Sequence, residues 1–150
     1  MTKQQFLSAA TLAAQTCAGA SGFPAGVTVA QAALESRWGQ SRLSREAHNY
    51  FGIKARRGRP FVTFETLESV NGSMVRTIAR FAKYDSMPDC FADRDRIIAT
   101  LPYYAEARAC CADTEQFIRA LAKSWATDPH YAEKLLALYR AHQLSELDQR

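Results

Sequence analysis

Several things are scarce in this sequence, and each scarcity removes a class of protein. No stretch approaches the roughly 18 uninterrupted apolar residues that a membrane-spanning helix needs, so membrane insertion is not expected. The three histidines and four cysteines include no Cys-x-x-Cys, and His48 and His130 have no Cys or His companion at ligand spacing. Neither a metal site nor a cofactor is therefore expected. Cys110 and Cys111 are adjacent, and neighbours seldom reach the Cα separation of a disulfide; with Cys17 and Cys90 they read as small buried hydrophobes. Zinc-finger spacing, a heptad zipper and aromatic RNA-binding motifs are all missing, so no nucleic-acid partner is expected beyond what charge alone could attract. Repeats, low-complexity tracts and linkers are missing too, and residues 1–150 read as one domain able to bury a single core. Met1-Thr2-Lys3-Gln4-Gln5-Phe6 has no basic stretch leading into a long apolar core, so no conventional signal peptide is read there.

What is present is ordinary in bulk. With 47% hydrophobic and 23% charged residues, the chain has the composition of a soluble globular protein. The net charge of +4 and pI near 9.0 are modest, and Arg56, Arg57 and Arg59 form the only dense basic cluster. That balance suits contact with an anionic polymer, and a bacterial wall qualifies as well as nucleic acid does.

The pattern along the chain predicts helices around one hairpin. Thr2 and Gln5 form a capping-box signal for a helix carrying Phe6, Ala9, Ala10, Leu12, Ala13 and Cys17 and ending near Gly19. Gly22-Phe23-Pro24 breaks the chain, with Pro24 at a first helical position, and the next helix runs to Gly39. A short helix from about Leu43 to His48 leads into Asn49-Tyr50-Phe51-Gly52. Phe61 to Val70 is β-branched and aromatic, as is Ser73 to Phe81, and Asn71-Gly72 between them is a two-residue hairpin turn signal. Helix returns from Asp89 to Leu101, from Asp113 or Thr114 to Ala122, and from Asp128-Pro129 to about His142, with a polar tail from Ser145.

The hairpin register makes a further prediction. It sets Glu68 opposite Val75, on one face with Val62, Phe64, Thr66, Thr77, Ala79 and Phe81. Glu68 is then the one charge on the apolar face. Glu65 falls on the other face with Thr63, Leu67, Arg76 and Arg80, where a solvated ion pair accounts for it.

One glutamate stands out more sharply. Glu35 is the only acidic residue between Met1 and Arg45, and it ends the apolar run Val29-Ala30-Gln31-Ala32-Ala33-Leu34. On a continuous helix Trp38 would lie one turn ahead of it and Gln31 one turn behind. Burial against such groups disfavours the charged carboxylate and makes a general acid. The plainer alternative is a surface Glu paired with Arg37 or Arg42.

Ala30-Gln31-Ala32-Ala33-Leu34-Glu35-Ser36-Arg37-Trp38-Gly39-Gln40-Ser41, followed by Asn49-Tyr50-Phe51-Gly52-Ile53-Lys54, resembles the signature of glycoside hydrolase family 73, the bacterial peptidoglycan N-acetylglucosaminidases. The resemblance continues through Phe81-Ala82-Lys83-Tyr84-Asp85-Ser86 and Ala126-Thr127-Asp128-Pro129-His130-Tyr131-Ala132-Glu133-Lys134-Leu135 and so covers nearly the whole chain. It implies an α+β, predominantly α-helical, lysozyme-like fold with a small β-hairpin lobe flanking the cleft. It implies Glu35 as catalytic acid and a second carboxylate in a Thr-x-Glu-Tyr context. Thr66-Leu67-Glu68 matches three of those positions, with Ser69 in place of the Tyr. Tyr131, in Asp-Pro-x-Tyr-Ala, is implied to point into the cleft beside the acid.

The same resemblance offers Tyr50, Phe51, Trp125 and Trp38 as substrate-binding aromatics, against the alternative that they are core. Asn49 could either hold the loop below the cleft or donate to an N-acetyl carbonyl. The expected partner is the peptidoglycan glycan strand, bound by a monomer in the cell wall or periplasm, reached by an export route that the residues do not disclose. Two other classes compete: a catalytically silent wall-binding or assembly module, and a lytic transglycosylase or muramidase on the same fold.

Overall fold

The computed structural model describes residues 1–148; Gln149 and Arg150, at the end of the expected polar tail, lie outside them. Helix α1 spans Lys3–Ser21 and opens on the predicted capping box, Gln5 N–H donating to Thr2 Oγ1 at 3.1 Å and Thr2 N–H to Gln5 Oε1 at 2.8 Å. It runs past Gly19 because the left-handed closing residue is Gly22, with φ of 77°.

Helix α2, Ala25–Ser36, starts directly after Pro24, and every residue from Ala25 to Ala33 is buried. A helix apolar on all sides belongs at the centre of a domain, and α1, helix α7 (Tyr131–Ala141) and a C-terminal 3₁₀ helix (Leu144–Asp148) pack around it. Gly26 permits the closest of these approaches, since a Cβ there would sit 2.2 Å from the Leu144 carbonyl oxygen. The polar tail from Ser145 is docked as far as Asp148, which accepts from Gly26 N–H at 2.8 Å and from the Tyr139 hydroxyl at 2.6 Å. The first turn of α2 has no acid of its own, so this carboxylate meets an otherwise unopposed helix N-terminus.

The predicted end of α2 at Gly39 is corrected to Ser36. Arg37 and Trp38 both take left-handed conformations, with φ of 51° and 59°, and Trp38 N–H folds back onto the Ala33 carbonyl at 2.9 Å. Such geometry is unfavourable for residues with a Cβ. It is offset by the Trp38 ring, which packs edge-on against Phe6 (5.9 Å) and His142 (4.7 Å) and lies under Lys3 Nζ (4.8 Å).

After the short α3, Arg42–Ala47, the chain enters the two-stranded antiparallel sheet β1 (Phe61–Val70) and β2 (Ser73–Ala82). The predicted register holds throughout, with Glu68 opposite Val75 and both Asn71 and Gly72 at positive φ. Ile53 to Ala55 lies alongside β2 through the Ala82 N–H to Ile53 O and Ala55 N–H to Arg80 O bonds, which ties the loop below the hairpin to its base. Helix α4, Met87–Thr100, begins two residues before the predicted Asp89 because Ser86 caps it. A 3₁₀ turn at Pro102–Tyr104 and the short α5, Ala105–Ala109, fill a segment with no predicted element. Helix α6, Thr114–Trp125, is capped by Asp113 and extends past the predicted Ala122. The core gathers Phe6, Phe91, Ile98, Phe117, Leu121 and Leu135 around α2. No helix among the described residues is long and apolar enough to cross a membrane.

Candidate active site

Glu35 occupies the last turn of α2, where the helix emerges from the core. Its Oε1 accepts the Tyr131 hydroxyl at 2.6 Å. Its Oε2 faces Gly52: a Cβ on that glycine would lie 4.0 Å away. One carboxyl oxygen is thus tied to the protein and the other is presented toward a glycine with φ of 71°. Gly52 in turn lines a cavity of about 420 Å³ shared with Lys54, Arg56, Arg96, Tyr104 and Trp125.

The surroundings shift the carboxyl upward. Burial raises the Glu35 pKa above its ordinary value, and the Tyr131 hydrogen bond, which favours the charged form, offsets only part of this. Tyr131 is itself buried; desolvation first, and then the negative charge and acceptor of Glu35, push its phenol well above the usual range. It therefore donates and does not ionise. The turn that places it is built from Asp128, whose Oδ1 accepts His130 N–H at 2.8 Å and whose backbone carbonyl accepts Tyr131 N–H.

Behind this pair lies a buried polar chain absent from the sequence-based prediction. The Arg94 guanidinium on α4 has no exposed surface. Its Nε donates to Gln31 Oε1 at 2.9 Å, and its Nη1 donates to Thr28 Oγ1 at 2.9 Å and to Asp95 Oδ1 at 2.8 Å. Asp95 Oδ2 accepts the Ser21 hydroxyl at 2.8 Å. Gln31 Oε1 is committed to Arg94, and its Nε2, which makes no hydrogen bond of ordinary geometry among the described residues, lies beside the Tyr131 phenol. A signal did exist: Arg94 falls three and four residues from Phe91, Cys90, Ile97 and Ile98, a charge at an apolar position of α4.

The other predicted residues separate into those near this cavity and those below it. Asn49 is fully buried, with its amide donating to Ile53 O and Ala82 O, both at 2.9 Å, and its Oδ1 accepting Phe51 and Ile53 N–H. Both amide hydrogens are used, so of the two roles open to it Asn49 fills the one of holding the loop. Tyr50 and Phe51, 6% and 2% exposed, are corrected from sugar-stacking faces to core. Tyr50 packs on Phe6 and Phe91, and Phe51 on Phe91 at 5.0 Å and on Trp125 at 6.2 Å. Trp38 is likewise committed to packing against Phe6 and His142, away from its expected place one turn ahead of Glu35. Trp125 is half-buried and contributes to the cavity wall beside Gly52.

Glu68 lies on the inner hairpin face, as predicted, but toward its exposed end. Its Oε1 pairs with Lys54 Nζ at 3.6 Å, and that ammonium also sits 4.6 Å from the Phe81 ring. Glu65 pairs with Arg76 at 3.5 Å on the outward face. Thr66, two residues before Glu68, buries a hydroxyl with no partner among the described residues. Among those residues Cys17, Cys90 and Cys110 are free, and no group of three or more His, Cys, Asp or Glu is placed to hold a metal ion.

Comparison with known proteins agrees with this geometry. Residues 11–144 match the glucosaminidase family profile, described as mannosyl-glycoprotein endo-beta-N-acetylglucosaminidase. The chain is 39% identical over 137 residues to peptidoglycan hydrolase FlgJ of Escherichia coli strain K12, covering 87% of this chain and 44% of that protein. It is 34% identical over 154 residues to a protein named "Probable N-acetylmuramidase" from Lactococcus lactis subsp. cremoris, covering 98% of this chain and 35% of the relative. The chain thus spans between a third and a half of the length of these curated relatives. Among solved structures, the catalytic domain of the autolysin Auto from Listeria monocytogenes superposes with a TM-score of 0.89 at 30% identity, covering 97% of this chain and 87% of that one. The architecture is accordingly α+β, predominantly helical and lysozyme-like.

The raised Glu35 pKa fixes the sign of a stability test. At a pH below its ordinary value near 4.5, Glu35 is protonated folded and unfolded. As pH rises, the unfolded chain ionises freely while the native site resists, so native stability is lost as pH climbs through the raised folded value. Glu35→Gln, whose carbonyl can still accept the Tyr131 hydroxyl, removes that loss. Its melting temperature should match wild type near pH 4 and exceed it by a widening margin toward neutral pH. Parallel thermal melts across this range check the trend, and a constant or reversed gap contradicts the desolvated carboxyl.

Proposed function

The chain belongs to the glucosaminidase family, and from that premise we propose that it hydrolyses the glycan strand of peptidoglycan after N-acetylglucosamine, with Glu35 as the general acid. The observation that carries the reading is the divided environment of the Glu35 carboxyl: Oε1 held by Tyr131 at 2.6 Å, Oε2 facing Gly52, and a pKa raised by burial. Cleavage of a glycosidic bond needs a proton on the leaving oxygen as the bond to the anomeric carbon breaks. Oε2, the oxygen not held by Tyr131, is the atom that gives it in this reading. The Tyr131 hydroxyl then stabilises the carboxylate left behind, and a water adds to the anomeric carbon to complete hydrolysis.

Glu68 is the second carboxylate of this reading, either countering developing positive charge on the sugar or directing the attacking water. Its support is its place on the inner hairpin face, where Lys54 links it to the loop carrying Gly52. Trp125 is the aromatic proposed to contact sugar, since Tyr50, Phe51 and Trp38 are committed to packing. Action in the cell wall or periplasm follows from the substrate. The muramidase alternative is kept open by the name of one relative, and analysis of the new reducing ends of the products separates the two bonds.

The reading is tested by activity gels impregnated with bacterial walls. Glu35→Gln should lose at least about 10²–10⁴-fold in rate while remaining folded; turnover near wild type overturns the assignment. Tyr131→Phe makes a subtler test. Without its donor the Glu35 carboxylate is less favoured, so the pKa rises further and the alkaline limb of the pH–rate profile should move to higher pH as the maximal rate falls. An unmoved limb would remove Tyr131 from the reaction. Between the two hairpin acids, Glu68→Gln should reduce activity far more than Glu65→Gln, and equal or reversed effects would place the second group elsewhere.

A further inference from the structure

The basic cluster Arg56, Arg57 and Arg59 has no part in the chemistry above, yet two of its members open onto a second cavity. This space, about 380 Å³, lies between the base of the hairpin and the first turns of α4. It shares Lys54, Arg56 and Arg96 with the cavity beside Gly52 and Trp125, so the two cavities are neighbours on the same side of the hairpin base.

The charges around it are arranged in two tiers. At the floor, Asp93 accepts from Arg56 at 3.0 Å, Arg96 at 2.9 Å and the Tyr84 hydroxyl at 2.5 Å. Burial alone would push that carboxyl up, but these hydrogen bonds outweigh it and hold Asp93 below its ordinary value. The floor is self-satisfied. At the rim, Arg59 and Lys83 form no ion pair among the described residues, and neither do Asp85 and Asp89 on the same lining. The rim therefore offers two cations and two carboxylates that make no ion pair among the described residues.

We propose that this cavity is a subsite for the peptide stem of peptidoglycan, with Arg59 and Lys83 meeting the free carboxylates of the stem and Asp85 and Asp89 facing the free ammonium of its diamino residue. The inference rests on the peptidoglycan reading of the Glu35 site. Glycan stripped of its peptides carries only the lactyl carboxylates held close to the sugar and no ammonium, whereas an uncross-linked stem extends both carboxylates and an ammonium beyond the glycan. The subsite selects substrate and takes no part in bond cleavage: it should lower KM for peptide-bearing strands and leave kcat unchanged.

The test compares two substrates, walls with intact uncross-linked stems and the same glycan after an amidase has stripped the peptides. Wild type should show the lower KM on the peptide-bearing strands. Arg59→Ala combined with Lys83→Ala should raise that KM about three- to tenfold, the range expected for two exposed charge pairs, with no change on the stripped glycan. The shift should shrink as salt rises, because exposed charges are screened over about 8–10 Å at ordinary ionic strength. Arg57→Ala, an exposed cation outside the cavity lining, controls for general attraction to the wall and should change neither substrate. An unchanged KM in the double variant, or an equal rise on both substrates, overturns the subsite while leaving the Glu35 reading intact. Failure of wild type to cleave either substrate overturns both.

Discussion

A charged side chain with no solvent contact sets the geometry on which the rest of the site depends. Arg94 cannot shed its proton, so the helices around it must supply acceptors. They do so with Thr28 and Gln31 from α2, with its neighbour Asp95, and through Asp95 with Ser21 at the end of α1. Its guanidinium also faces the Phe51 ring at 5.7 Å, which fixes the loop leading to Gly52. Breaking a buried ion pair by removing one partner costs about 3–5 kcal/mol, because the other charge is left without compensation. The pairing matters beyond stability. Asp95 offsets part of the positive charge of Arg94, and the influences that act on Glu35 are burial and the Tyr131 hydrogen bond. An unbalanced guanidinium at that depth would favour the carboxylate and spoil the proposed acid.

The contrast between the two glutamates follows from environment alone. Glu35 loses hydration at the end of a buried helix and receives one neutral donor. Glu68 keeps half its side chain exposed and faces an ammonium. Two carboxylates of the same type thus sit in unlike environments, as the separate acid and second-carboxylate roles proposed for them require.

Most of this was legible in the sequence because it rests on local chemistry. The Asn71-Gly72 turn fixes the hairpin register without help from the rest of the chain, and so puts Glu68 and Glu65 on opposite faces. The capping residues Thr2 and Asp113 start their helices where their hydroxyl and carboxylate dictate. What escaped depends on distant partners. Trp38 ends up in a left-handed conformation because Phe6 and His142, far away in sequence, accept its ring. Asn49 fills all its hydrogen bonds because Ala82 of β2 arrives above it. The docked tail requires both the bare surface of Gly26 and the carboxylate of Asp148, 122 residues apart. Aromatic residues in a motif gave no indication of which would be buried; Phe51 and Trp125 touch each other, yet only Trp125 reaches the cavity.

The polarity of α2 binds these threads together. A helix carries partial positive charge at its N-terminus and partial negative charge at its C-terminus, each worth roughly 0.3–1 kcal/mol to a suitably placed ion. At the N-terminus, Asp148 supplies the favourable anion from the far end of the chain. At the C-terminus the sequence places Glu35, whose ionised form is opposed by the same dipole. Desolvation and helix polarity therefore act in one direction on this carboxyl, and only the Tyr131 hydroxyl acts against them. The helix end is a poor place for a charge, which favours the neutral carboxyl. A single buried phenol favours the charged form, which is what the proposed proton transfer requires.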